Sequence, residues 1–208
     1  MINGRGILSR QWDGPWCAAG SRRDHLSRFT ALVVGLLVMG VSCLHAQQSS
    51  PTENQVKSAY LYNFGKFVEW PDKGTTGGEF FTFCVLGDDS FGSTLATTIA
   101  GESINGKKVL VKRVAKPQDA VSCRILFISS SEQTRLKEIL MALDDTSVLT
   151  VSDMPQFTRR GGMIQFVVDA NRVRFEVNLT SAERTGLTLS SQLLKVALDV
   201  RRNAQPGS

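Results

Sequence analysis

Histidine is almost missing from this sequence. Among 208 residues only His25 and His45 occur, and both stand before residue 47. That placement matters because residues 1–46 carry the parts of an export signal in order. Arg22, Arg23 and Arg28 precede an uncharged run from Phe29 to Leu44, and Ala46 offers a small residue for cleavage. With this segment removed the chain has no imidazole. It then cannot build a Ser-His-Asp or Cys-His nucleophile system, or a histidine-liganded zinc or copper site. Cysteine is scarce too: Cys17 and Cys43 leave with the signal, and only Cys84 and Cys123 remain. The basic surplus shrinks in the same way. The segment holds five of the 24 Lys and Arg residues and two of the 19 Asp and Glu residues, so the remainder carries a net charge of +2. The pI near 9.2 is therefore no argument for a nucleic-acid partner.

Three variants of the export reading stand beside simple cleavage. Ser21 to Leu26 has a twin-arginine pattern, with His25 where an aromatic is usual. The apolar run is short of the roughly 20 residues a membrane anchor needs. Cys43 as a lipidation site is poorly served by Gly40 before it. The expected organisation is a signal at 1–46, a polar leader at 47–54, one domain at 55–202 and a tail at 203–208, with no internal repeat.

The domain opens on QVKSAYLYNFGKFVEWP, Gln55 to Pro71. Thr52 and Gln55 have capping-box spacing, and Val56, Tyr60, Phe64, Phe67 and Val68 recur at helical intervals. Lys57, Lys66 and Glu69 are expected to point elsewhere, and Pro71 to end the helix. Leu61, Tyr62 and Trp70 form an apolar surplus that would suit a partner. A glycine-containing loop follows from Asp72 to Glu79. Phe80–Leu86, Arg124–Ser129 and Val148–Val151 are short runs of β-formers that stop at Gly, Ser or Asp, as buried parallel strands do. Val109–Val114 is a partly exposed strand after an Asn105-Gly106 turn. Helices are expected at Ser90–Ala100, at Ser130–Leu143 behind a second capping box with Gln133, at Ser181–Arg184 and at Ser190–Val200. Met163–Val168 and Val173–Leu179 form a hairpin whose second arm alternates, with Arg172, Arg174, Glu176 and Asn178 on a wet face; this places it at a sheet edge. The fold class is α/β, a three-layer sandwich with a doubly wound, mostly parallel sheet and an antiparallel edge hairpin.

Candidate chemistry is sparse. Cys84 and Cys123 sit on or before neighbouring buried strands; an oxidising compartment favours their disulfide, and two buried free thiols are the alternative. Asp88, Asp89 and Asp153 follow strand carboxyl ends, where open α/β sheets bind ligands. They are a possible cleft for a ligand or hard cation, or else helix caps and turn formers. The Arg159-Arg160-Gly161-Gly162 turn can grip an anion or an acidic patch, or simply be solvated. Arg174 and Glu176 make either a surface ion pair or a contact for a partner. The expected partner face is Phe157, Arg159, Ile164, Arg174 and Glu176, with no catalytic residue, metal or cofactor.

Several collinear stretches resemble the YfiR family of periplasmic regulators: Ala59–Pro71, Phe83–Gly92, Cys123–Glu132, Val148–Leu179 and Gly186–Ala197. The resemblance implies a non-enzymatic, often dimeric α/β protein of the periplasm. Such a protein represses an inner-membrane diguanylate cyclase by contacting its periplasmic part, until an OmpA-like outer-membrane lipoprotein captures the regulator. Cys84 and Cys123 match the family's disulfide-forming pair. A second bridge of some members would fall around Thr158 and Gln165, so redox sensing through it is excluded here. Thr188 and Ser190 replace an arginine and a histidine of some members, which puts small-molecule binding there in doubt. The alternative is a periplasmic ligand-binding sensor subunit for a membrane receptor or kinase.

Overall fold

A computed structural model describes residues 50–71 and 79–202. The expected signal, the first three residues of the leader, the Asp72–Glu79 loop apart from its last residue, and the tail lie outside the described residues.

The first helix, α1, runs Glu53–Phe67, and its capping box is formed. Thr52 Oγ1 accepts the Gln55 N–H at 3.3 Å and Gln55 Oε1 accepts the Thr52 N–H at 2.8 Å. The helix stops three residues short of the expected end. Val68–Glu69 leaves it as a strand, β1, to pair antiparallel with β9, Thr188–Leu189. Its inward face also differs from expectation: Lys57, Ser58, Leu61, Phe64 and Gly65 are buried. The apolar surplus is consumed internally. Leu61 is core, the Tyr62 hydroxyl donates to Glu102 at 2.7 Å, and Trp70 meets Phe81 edge-on at 5.3 Å.

The main sheet contains β2 (Phe80–Leu86), β3 (Ser103–Ile104), β4 (Lys107–Val114), β5 (Ile125–Ile128), β6 (Leu149–Ser152), β7 (Ile164–Asp169), β8 (Arg172–Asn178) and β10 (Asp199–Arg201). Their order is β10-β8-β7-β6-β5-β2-β4-β3. The run from β4 through β2, β5 and β6 to β7 is parallel, and order reverses between β2 and β5, which is the doubly wound pattern. Antiparallel β3 and β8 flank it. The sheet curls into a half-barrel, so the flat middle layer of a three-layer sandwich is replaced by a curved one. Strong right-handed twist accumulated over this many strands produces such curling.

Apolar side chains alternate between two cores along β2 and β5. Phe81, Phe83, Val85, Ile125 and Phe127 join α1, while Cys84, Leu86, Leu126 and Ile128 join α3, Leu136–Ala142. The first core contains an aromatic cluster in which Phe64 meets Phe175 at 5.0 Å and Phe166 at 5.9 Å.

Three expected helices shorten. Asp89 ties down the Phe91 and Gly92 amides, so α2 covers only Thr94–Thr98. Ser129, not Ser130, caps a 3-10 turn at Ser130–Glu132 ahead of α3. After α4, Leu179–Arg184, the last helix α5 spans Ser191–Val196 and the chain then turns extended at Ala197. The Leu198 N–H donates to Phe175 O at 2.8 Å, which starts β10 alongside β8. The hairpin is therefore not the sheet edge; β10 is.

Candidate functional site

The carboxyl ends of β5 and β6 open into a cleft of about 440 Å³ lined by Glu53, Lys57, Ser130, Asp153, Pro155, Gln165, Phe166, Val167 and Val168. Among its lining is a lysine that the sequence spacing turns away from the apolar stripe of α1. Lys57 lies on the inward stripe with Leu61 and Phe64, and its side chain is only 7% exposed. A buried ammonium needs partners, and it has two: Glu53 at 2.7 Å, one turn earlier on the same helix, and Asp153 at 2.8 Å after β6. Burial works to lower the Lys57 pKa, but the hydrogen bonds it donates to Asp153 and Glu53 outweigh it and hold the group above its ordinary 10.5. The Glu53–Lys57 spacing of four residues was the available signal for this pairing.

The three aspartates are not brought together. Asp89 caps the Phe91 and Gly92 amides and accepts from Arg113 Nε at 2.7 Å. Asp88 is exposed, its amide donating to Ser131 Oγ at 2.9 Å. Only Asp153 lines the cleft, so the possible three-carboxylate site reduces to one member and the capping alternative holds for Asp89. Among the described residues no three His, Cys, Asp or Glu side chains group as metal ligands.

The expected partner face divides by burial. Phe157 and Ile164 are both fully buried, Phe157 in the second core and Ile164 in the first, so neither forms the surface. Phe157 packs against Gly162, where an added Cβ would overlap its ring. Arg159 is exposed, and Arg174 and Glu176 are half-buried on β8. Asn178, expected on the same wet face, is buried because the loop Met154–Gly162 folds over it. Its amide donates to Thr158 O at 2.9 Å, and its Oδ1 caps α4 by accepting the Ser181 N–H at 3.0 Å. Thr158 in turn donates its amide to Gln165 Oε1 at 3.3 Å and its hydroxyl to Glu176 at 3.4 Å. Where a second disulfide would fall there is thus a buried hydrogen-bonded network. Arg160 anchors the same loop by donating to Gln133 O at 2.9 Å.

Cys84 and Cys123 form a disulfide, with Cα atoms 6.0 Å apart. It joins β2 to the start of β5 within the second core.

Comparison with known proteins gives the chain a family. The YfiR/HmsC-like family matches residues 54–198, nearly all of the described domain. Among solved structures, a conserved domain protein from Vibrio cholerae O1 biovar eltor is similar at a TM-score of 0.54 and 12% identity. The match covers 74% of this chain and 62% of that one, so this chain spans less than two thirds of its length, and the likeness shows the fold alone. An ABC domain from Streptococcus pneumonia in complex with L-Trp is similar at a TM-score of 0.42 and 12% identity, covering 58% of this chain and 55% of that one.

Proposed function

The chain belongs to the YfiR/HmsC-like family, and from that premise we propose that it is a non-enzymatic periplasmic regulator that binds and represses the periplasmic part of an inner-membrane diguanylate cyclase. The family match over residues 54–198 carries this reading. Proteins of this family are periplasmic and non-catalytic. The cysteine bridge suits an oxidising compartment. In this reading an OmpA-like outer-membrane lipoprotein relieves repression by capturing the regulator, and the regulator works as a pair of copies.

The partner face is Arg159 and Arg174 with Glu176; Phe157 and Ile164, both fully buried, are not part of it. Arginines recognise carboxylates through paired, directional hydrogen bonds, so an acidic patch on the cyclase is the expected counterpart. Glu176 is also tied to Thr158, which makes its reversal a structural as well as a contact change. The cleaner test is therefore Arg159→Glu combined with Arg174→Glu. Affinity for the cyclase's periplasmic domain should fall at least tenfold while the melting temperature holds; unchanged affinity rejects this face.

The Lys57–Asp153 cleft favours a second reading, a sensor subunit that takes a small ligand. A thermal-shift screen separates the two, since a ligand at 100 times its dissociation constant stabilises by about 2.7 kcal/mol.

A further inference from the structure

Among the described residues the last strand of the sheet, β10, pairs only with β8 and has no partner on its outer side. Edge strands are ordinarily blunted by shortness, charged side chains, proline, a bulge or a covering element. This one is three residues long and carries Asp199 and Arg201, but among the described residues it has no proline or bulge, and beside it Val196, Leu198 and Val200 are exposed at 54%, 44% and 36%. These are alternate residues of the segment VALDVRR that begins at Val196.

The direction of the free backbone groups follows from one bond. The Leu198 N–H points inward to Phe175 O, and alternation along a strand then turns the amides and carbonyls of Asp199 and Arg201 outward. A second strand added antiparallel must pair with those two residues. A two-fold axis through Val200 does this with an identical strand. It sets Asp199 opposite Arg201 of the second copy and Arg201 opposite its Asp199, each as a hydrogen-bonded pair that exchanges both backbone bonds. The same operation lays oppositely charged side chains across from each other twice, and Val200 against Val200. Within one chain Asp199 and Arg201 already share a face, at 3.2 Å.

Other registers fail on charge or on facing. An axis through Asp199 opposes Asp199 to itself, and one through Arg201 opposes two guanidinium groups; like charges directly across a ladder are destabilising. A shift of one residue sends the side chains to the wrong faces. Of the axes within Asp199–Arg201, only the one through Val200 sets unlike charges opposite each other.

We infer that two copies of this chain join edge to edge through β10, antiparallel about Val200, so that the sheet continues across a molecular two-fold axis. This specifies the surface for the paired copies proposed above and rests on that reading, while leaving Arg159 and Arg174 free for a different protein.

The self-complementarity supplies its own test. In the full chain expressed with its own leader, Asp199→Arg alone places arginine against arginine at both positions, and Arg201→Asp alone places aspartate against aspartate. Each variant should associate at least tenfold more weakly than the wild type by sedimentation equilibrium. Mixed, they present arginine pairs to aspartate pairs and should form a 1:1 heterodimer of wild-type affinity. Val200→Cys should form a disulfide-linked dimer under oxidising conditions, because directly opposed residues of a non-hydrogen-bonded pair lie within bridging distance. Dimers of unchanged affinity in both single variants overturn this interface and leave the two-copy reading standing. A wild type that sediments as a monomer at every concentration overturns both. An edge covered by the chain's own leader or by another protein would show as failure of Val200→Cys to link to itself, which also overturns the inference.

Discussion

Removal of the Cys84–Cys123 bridge is the perturbation whose magnitude the structure fixes best. The cysteines are 39 residues apart in sequence and join two adjacent parallel strands deep in the second core. In the chain-entropy model, closing a loop of that length lowers the entropy of the unfolded chain by about 13 cal/mol/K, or about 4 kcal/mol at room temperature. Both sulfurs are buried, so Cys84→Ala with Cys123→Ala also loses packing, whereas reducing the wild type removes the bond alone. Urea unfolding of oxidised and reduced protein is the appropriate assay. With a slope of about 2 kcal/mol per M, the reduced midpoint should fall by about 2 M. The melting temperature should fall by about 8–16 °C for a domain of this size. A loss below about 1 kcal/mol would refute the reasoning, because the loop would then gain little from closure or the unfolded chain would keep the two strands together by itself.

Other perturbations follow from the packing and the cleft. Lys57→Met keeps the buried stem but removes two charge-assisted hydrogen bonds, and should cost about 1–3 kcal/mol at pH 7 by chemical denaturation. Because the Lys57 pKa is raised in the fold, its stabilisation is fully present below about 10.5 and is lost as pH rises through the higher folded value. The gap between wild type and Lys57→Met should therefore stay constant from neutral pH to about 10 and close above it; a gap that closes below pH 9 contradicts the pairing. Phe64→Ala opens a cavity among Tyr60, Phe166 and Phe175 and should cost about 3–5 kcal/mol in the same assay. Gly162→Ala forces a methyl group into the Phe157 ring and should cost about 1–3 kcal/mol. An unchanged midpoint for either would contradict the packing described.

What could be read in advance depended on how locally each feature is determined. The strands FFTFCVL and RILFIS announce themselves because a strand buried on both faces is apolar at every position, and the turns after them need Gly, Ser or Asp. The Asn105-Gly106 turn was legible for a similar reason, since both residues take positive φ. The short strands were not. Val68–Glu69, Thr188–Leu189 and Asp199–Arg201 exist only because a distant segment offers them hydrogen bonds, and each falls where the local pattern predicts a helix end or loop. Lys57 is hard to place because the stripe through Val56, Tyr60 and Phe64 turns it away from the core, and its second partner, Asp153, lies 96 residues away. Asn178 and Glu176 were placed on a wet face because alternation reveals two faces but not what covers the polar one. Here a loop does, and it takes Phe157 inside with it, while Ile164 is buried as the first residue of β7. The disulfide partners were legible from the adjacency that right-handed crossovers give β2 and β5.

The central claim is that this protein acts by holding another protein, with no chemistry of its own. The most direct test is the rate of cyclic-di-GMP synthesis by the membrane diguanylate cyclase of the same cell, reconstituted in vesicles, with the purified regulator titrated onto its periplasmic side. The account predicts saturable inhibition that the Arg159→Glu, Arg174→Glu variant fails to produce. A synthesis rate indifferent to the regulator at every concentration would contradict it.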